Sequence, residues 1–408
     1  MSRTMNLLRG VAVAGLFGVL ASCEAPHSSV EPSYAGGDIF KSYVALGNSL
    51  TAGYQSGGIN DSTQQRSYAV LLAQAFGTRF AYPSLVNPGC PPPIANFMTQ
   101  ARVTPKGYPA STSTSCYLRS ATSITDVLNN VAVPGANVAD LTSSVGTSGP
   151  NPLTQFILGG LTQAQRALIA KPTFATVWIG NNDVLGPALT GQPAGATPLA
   201  TFTGAYDTMI SQLTGGAPGI KGVLIGVVQV SAAPQLFPAA ALASPVFDAG
   251  MDAGAGQHVT VLPDCLVSPG NQSLININII GAIRLGLHPP IIACRKGDAP
   301  APVGDYLVLD TEEQATVYAL INSYNAYIQS KAQAIGFAYW DPNPALAALD
   351  AQPGAILRPP NIGSATNPFG TAFSLDGVHP SSSSHILVAN GIIDAINAKY
   401  GTSVKHVQ

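Results

Sequence analysis

The sequence predicts an α/β domain built on a mostly parallel sheet with helices on both faces. Short apolar runs that read as buried strands alternate with longer segments of helical periodicity, the pattern of successive strand–helix units. The strand-like runs carry apolar residues at consecutive positions, as strands covered on both faces do. The first run, Tyr43-Val44-Ala45-Leu46, ends at Gly47-Asn48-Ser49. Open α/β sheets collect their ligands at that end of their strands.

The elements follow in order. Tyr43 to Leu46 is the first strand, and Gly47 permits a sharp change of direction before Ser49. Ser67 to Phe76 has apolar residues at helical spacing. Pro83 to Ser120 is rich in Pro, Ser and Thr and reads as loop. Pro152 to Ala170 reads as a helix that stops before Lys171-Pro172. Phe174 to Ile179 is the second buried strand, Leu199 to Leu213 a helix, and Gly222 to Val230 a third strand. Ser231 to Asp310 reads as an irregular insertion. Thr311 to Ile335 is a long helix with Thr311 as its cap, and Glu312 and Glu313 suit its positive end. Gly336 to Trp340 is the fourth strand. Ser381 to Tyr400 closes the fold as a helix stopped by Gly401.

Only 9% of the 408 residues are charged and the formal net charge is -2. With no basic stripe to neutralise phosphates, nucleic acid is excluded as a partner. The first 22 residues read as a targeting segment. Arg3 and Arg9 precede an apolar run from Val11 to Ala21 that is too short to span a bilayer. The run ends Leu20-Ala21-Ser22-Cys23, which resembles the lipobox of bacterial lipoproteins. That resemblance implies cleavage before Cys23, lipidation of its sulfur, and anchoring in the cell envelope by acyl chains worth about 0.8 kcal/mol per buried methylene. An ordinary secretory signal is the alternative. Residues 23–37 then form the lipidated cysteine and a tether, and residues 38–408 form one domain, with insertions around 83–125 and 231–310.

Cys90, Cys116, Cys265 and Cys294 remain. Four cysteines allow three pairings. The pairs Cys90–Cys116 and Cys265–Cys294 are favoured because each closes one loop excursion, adding about 3–4 kcal/mol through the unfolded chain. A zinc site is the weaker reading, since C-x-x-C spacing is missing.

Four stretches could carry chemistry. Ser49 is presented at the end of the first strand. Near the far end lies Asp376-Gly377-Val378-His379-Pro380. The residue before a proline favours extended backbone, so His379 belongs to a loop. Asp376 can fold back through Gly377 to hold the imidazole in one tautomer and steady its charged form. His385 reads as a packing or surface position, and His27, His258, His288 and His406 have no obvious partner. After the second strand comes Gly180-Asn181-Asn182-Asp183, where an amide side chain can donate to an oxyanion. Gly135, in Val133-Pro134-Gly135-Ala136, offers a backbone N–H unobstructed by a side chain.

Taken in chain order, Gly47-Asn48-Ser49-Leu50, Gly135, Gly180-Asn181-Asn182-Asp183 and Asp376-Gly377-Val378-His379 resemble the four blocks of the SGNH/GDSL hydrolase family, across nearly the whole chain after the tether. The resemblance implies a three-layer α/β/α sandwich with a flavodoxin-like sheet. It implies a serine hydrolase of carboxylic esters, esterase- or lipase-like, working without metal or organic cofactor. Ser49 would be the nucleophile, His379 the general base and Asp376 its orienting group. The backbone N–H groups of Ser49 and Gly135, with the side chain of Asn182, would form the oxyanion hole. The sequence departs from the family pattern in carrying Asn48 where aspartate is usual, and in the size of its insertions, which would wall the cleft. Two other readings remain open: a glycan- or lipid-binding surface lipoprotein without catalysis, and an acyltransferase. Neither substrate nor oligomeric state is legible.

Overall fold

Alternating side chains along four short strands decide the layering. The computed structural model describes residues 34–104, 127–143, 157–295 and 306–408, and the backbone of 145–146 and 149–150. Strands β1 (Tyr43–Gly47), β2 (Phe174–Trp178), β3 (Lys221–Ile225) and β4 (Ala338–Trp340) lie side by side in that order, and every pairing is parallel. Val44, Leu46, Ala175, Val177 and Leu224 point into one cluster, and Tyr43, Ala45, Phe174, Trp178, Val223 and Ile225 into the other. This is the period-two alternation of a pleated strand with both faces covered.

Residues 129–133 add a fifth, irregular member at the free edge of β1. Ala45 N–H donates to the Asn129 carbonyl at 2.8 Å, and Val131 N–H donates to the Ala45 carbonyl at 3.0 Å. The bridge between Ala45 and Asn130 is parallel. Counting this segment, the strands run 2-1-3-4-5 across the sheet, the flavodoxin-like doubly wound order. The chain therefore reverses its direction of winding beside β1, and a crevice opens where the strand ends diverge.

Helices complete the two outer layers. On one side Phe202, Tyr206, Met209 and Leu213 of the helix Leu199–Gly216 pack with Val317, Ile321, Tyr324 and Ile328 of the helix Thr311–Ile335. On the other, Tyr68, Leu72 and Phe76 of Tyr68–Phe76 pack with Ile392, Ile393 and Ile396 of Ser382–Tyr400. Each such fully buried side chain contributes about 1.5–3 kcal/mol. The architecture is thus the expected α/β/α sandwich with a parallel sheet.

Several boundaries differ from expectation. Residues 152–156 of the expected helix Pro152 to Ala170 lie outside the described residues. Beyond them, Ile157 and Leu158 are helical, Gly159 and Gly160 interrupt the helix at positive φ of 65° and 83°, and a second helix runs from Gln163 to Ile169. Thr162 caps this second helix reciprocally with Gln165. The cap of Thr311–Ile335 is Asp310, not Thr311: its carboxylate accepts from the N–H groups of Glu312 and Glu313 at 2.9 and 2.8 Å. A carboxylate one residue upstream reaches the first free N–H groups, which a hydroxyl already inside the first turn cannot. β3 stops at Ile225 rather than Val230, because the following backbone is taken by side chains. Trp178 Nε1 donates to the Gly226 carbonyl, and Val227 N–H donates to Asn325 Oδ1. Gly336 belongs to the helix end, at φ 74°, so β4 begins at Ala338.

The stretch Ser231 to Asp310 is more regular than expected. It carries an antiparallel three-stranded sheet (Leu236–Pro238, Leu274–Asn276, Val308–Leu309) and the helix Pro245–Ala255 around its own apolar cluster. Its strands are two or three residues long, too short for alternation to be legible. The disulfide Cys265–Cys294 is present inside that cluster, with Cα atoms 4.9 Å apart. Cys90 is buried; its expected partner Cys116 lies outside the described residues, as do residues 1–33 with Cys23 and His27. No helix among the described residues is long and apolar enough to cross a membrane.

Candidate active site

The carboxyl ends of β1, β2 and the 129–133 segment converge on one point. β1 ends at Gly47, where a side chain would meet Thr51 Oγ1 at 2.3 Å and the Trp178 carbonyl at 2.5 Å. Only glycine allows that approach. Its peptide groups are clamped by the buried Gln163: Gly47 N–H donates to Oε1, and Nε2 donates to the Gly47 carbonyl, both at 2.8 Å. The chain then turns through Asn48, which is extended and caps the short helix Ser49–Ala52. Asn48 Oδ1 accepts from Leu50 N–H at 3.1 Å. An amide oxygen can thus make the turn bond that the family's usual aspartate would make, but among the described residues the buried Asn48 Nδ2 finds no partner.

Ser49 is 8% exposed at the floor of the crevice. Its Oγ lies 2.8 Å from His379 Nε2, and His379 Nδ1 lies 2.8 Å from Asp376 Oδ2. Gly377 makes the fold-back possible at φ 68°, with the Phe369 ring 2.8 Å from where a Cβ would sit. Asp376 is crowded with donors. Oδ2 also accepts from Gly57 N–H at 2.7 Å. Oδ1 accepts from the Ser374 hydroxyl at 3.1 Å, Val378 N–H at 3.0 Å and His379 N–H at 2.9 Å. Burial alone would raise this carboxyl. The His379 charge and these hydrogen bonds outweigh it and hold the group well below the usual carboxylate range. The Tyr54 ring packs 4.9 Å from the imidazole, its hydroxyl pushed up to about 12 by burial and by the Asp376 charge.

The remaining candidates meet at the turns after 129–133 and after β2, and Asn182 lines the same cavity as Ser49. Asn182 Nδ2 donates to the Ala136 carbonyl at 2.8 Å, which engages one of its two hydrogens. Val138 N–H donates to Asp183 Oδ2 at 3.0 Å. These two bonds tie the turn after 129–133 to the turn after β2. Gly135 sits at φ 81° in the first of them. Among the described residues, neither the Ser49 nor the Gly135 N–H donates to a protein acceptor. Burial pushes the Asp183 carboxyl up to about 7.

The other histidines stand apart. His385 is fully buried, and burial pushes it down to about 3; its Nδ1 accepts from Tyr68 N–H at 3.3 Å. His258 and His406 do have partners, Asp252 and Asp394, and His288 faces the Pro289 and Tyr306 carbonyls. The acidic partners come from six and twelve residues away, a separation at which no local spacing rule applies. Gln163, Gly57, Ser374 and Tyr54 had no signal as site residues. Gln163, Gly57 and Tyr54 act across more than a hundred residues. Ser374, two residues before Asp376, could have been suspected as a local turn hydroxyl.

A hydroxyl, an imidazole and a carboxylate stand in successive hydrogen-bond contact beside a cavity that Asn182 also lines, an arrangement suited to acyl transfer. No curated protein matches the chain. Among solved structures, a catalytic mutant of an acetylxylan esterase from Geobacillus stearothermophilus is 12% identical, at a TM-score of 0.38, over 90% of this chain and 97% of that one. An extracellular lipase from Streptomyces rimosus is 15% identical, at a TM-score of 0.39, over 88% and 99%. Likeness of that degree says nothing about substrate. The model of the GDSL-like lipase/acylhydrolase family matches residues 43–392. The chain belongs to that family and is a carboxylic ester hydrolase.

Proposed function

We propose that ester hydrolysis runs through Ser49, His379 and Asp376 by way of an acyl-enzyme. The observation that carries the reading is the unbroken line Ser49 Oγ–His379 Nε2 and His379 Nδ1–Asp376 Oδ2, 2.8 Å at each step. His379 takes the hydroxyl proton as Ser49 attacks the ester carbonyl. Asp376 stabilises the resulting imidazolium and keeps Nε2 facing the serine. The oxyanion is held by the N–H groups of Ser49 and Gly135 and by the free amide hydrogen of Asn182. His379 then protonates the leaving alcohol, and water repeats the sequence. The test is covalent: a fluorophosphonate probe labels the wild-type chain and fails to label Ser49→Ala. Undiminished labelling of that variant would remove Ser49 from the role.

We further propose that residues 1–22 are a signal peptide and that Cys23 carries the lipid anchor, holding residues 38–408 at a membrane of the cell envelope. Leu20-Ala21-Ser22-Cys23 supports this reading. Expressed in a bacterium, the wild-type chain should incorporate labelled palmitate and sediment with membranes. Cys23→Ser should do neither. Palmitate incorporation that survives the substitution would refute the anchor.

A further inference from the structure

We infer that the cavity beside Ser49 holds the acyl part of the ester, a short aliphatic chain of roughly four to six carbons. The inference rests on Ser49 being the nucleophile. The cavity, of about 120 Å³, opens at Ser49, Asn182 and His379. It runs between Leu185, Val230, Trp340, Leu346, Leu349 and Val388, and its lining is almost wholly apolar. A sugar or a charged group placed there would give up its hydrogen bonds to water with little in return. A hydrocarbon gives up none.

The surroundings look unfinished without such an occupant. The helix Asn343–Asp350 is mostly alanine and leucine, yet none of its residues is buried. It turns Leu346 and Leu349 toward the cavity from one side, and Leu387, 48% exposed, approaches from the helix Ser382–Tyr400. A chain inserted between them would take this apolar surface out of water. An apolar cavity of about 150 Å³ holds a six-carbon ring, so this one, at about 120 Å³, takes about four to six carbons.

The acyl side is assigned over the alcohol side for a mechanistic reason. The acyl chain stays bound through both half-reactions. The alcohol must leave before water can reach His379, and a partly enclosed apolar cavity would retain it.

The experiment uses the full chain and p-nitrophenyl esters from acetate to hexadecanoate, at monomeric concentrations. kcat/KM should climb about two- to fourfold per methylene, peak at roughly four to six carbons and then fall. Leu346→Trp should move the peak shorter by two or more carbons and lower the hexanoate-to-acetate ratio about tenfold or more. Leu346→Ala should move it longer. A flat profile, or a peak that neither substitution moves, overturns the inference. So does a series of alkyl acetates whose rates follow alcohol length while the acyl series stays flat. Fluorophosphonate labelling of Ser49 in the same preparation separates the two failures. Labelling with a flat profile defeats only the cavity assignment; absence of labelling defeats the catalytic reading on which it rests.

Discussion

At the scale of single residues, the site depends as much on side chains that never touch substrate as on those that do. Gln163 is the clearest instance. It satisfies both polar groups of Gly47, two residues before the nucleophile, from a buried position 116 residues away. Gln163→Met leaves Gly47 N–H without an acceptor, at a cost of about 1–3 kcal/mol in stability, and loosens the turn that aims Ser49. A misplacement near 1 Å can lower a rate about 10²-fold. The expected outcome is a fall in kcat of at least about tenfold with little change in KM. The rate of fluorophosphonate labelling should fall in parallel. A variant that loses stability but keeps both rates would reduce Gln163 to a packing role. The buried Asn48 Nδ2 has no partner among the described residues, and nothing in the structure explains why an amide replaces the family's carboxylate there.

At the scale of elements, the 25-residue helix Thr311–Ile335 shows how a boundary acts through energy. Its start is secured by the reciprocal pair Asp310 and Glu313, Asp310 N–H donating to Glu313 Oε2 at 3.0 Å. Asp310→Ala should cost about 1–2 kcal/mol and lower the melting temperature by about 1–3 °C, with turnover at room temperature intact. Thr311→Ala should cost far less, since the Thr311 side chain makes no cap bond. Thermal melts of the two variants decide between the carboxylate and the hydroxyl. Capping here was half legible. Both glutamates lie where the helix end favours them, but a sequence in which Asp and Thr stand side by side does not say which of them stays outside the first turn.

At the scale of the whole molecule, two buried titratable groups bend the pH dependence of stability in opposite senses. His385, down at about 3, stays neutral when the unfolded chain's histidine takes a proton near 6.5. Its contribution is present above 6.5 and is lost as pH falls toward 3. Asp183, up at about 7, keeps a proton that the unfolded aspartate gives up near 3.8. Its contribution is lost as pH rises from 3.8 to 7. Each is at most on the order of 4–5 kcal/mol. Between pH 4 and 6.5 they oppose one another. Relative to wild type, His385→Gln should tilt the plot of unfolding free energy against pH downward with rising pH, and Asp183→Asn should tilt it upward. Urea titrations at several pH values measure both slopes, and an unchanged slope in either variant would clear that group.

The amino-acid order alone determined the local facts: which four runs become the central strands, that Gly47 turns the chain before Ser49, that Asp376 lies three residues from His379, and that Cys265 and Cys294 fall in one excursion. These follow from periodicity, backbone freedom and short spacing, all readable along the chain. The likeness to a known family added the roles. Only the tertiary structure decided the rest: that residues 129–133 pair with β1 and set the strand order, that Gln163 grips Gly47, that Gly57 and Ser374 hold Asp376, and that Leu346 and Leu349 wall a cavity. Those relations join positions far apart in the chain, and their energies exist only once the sheet has brought the segments together. Periodicity carries no trace of which distant partner a buried amide or leucine will meet.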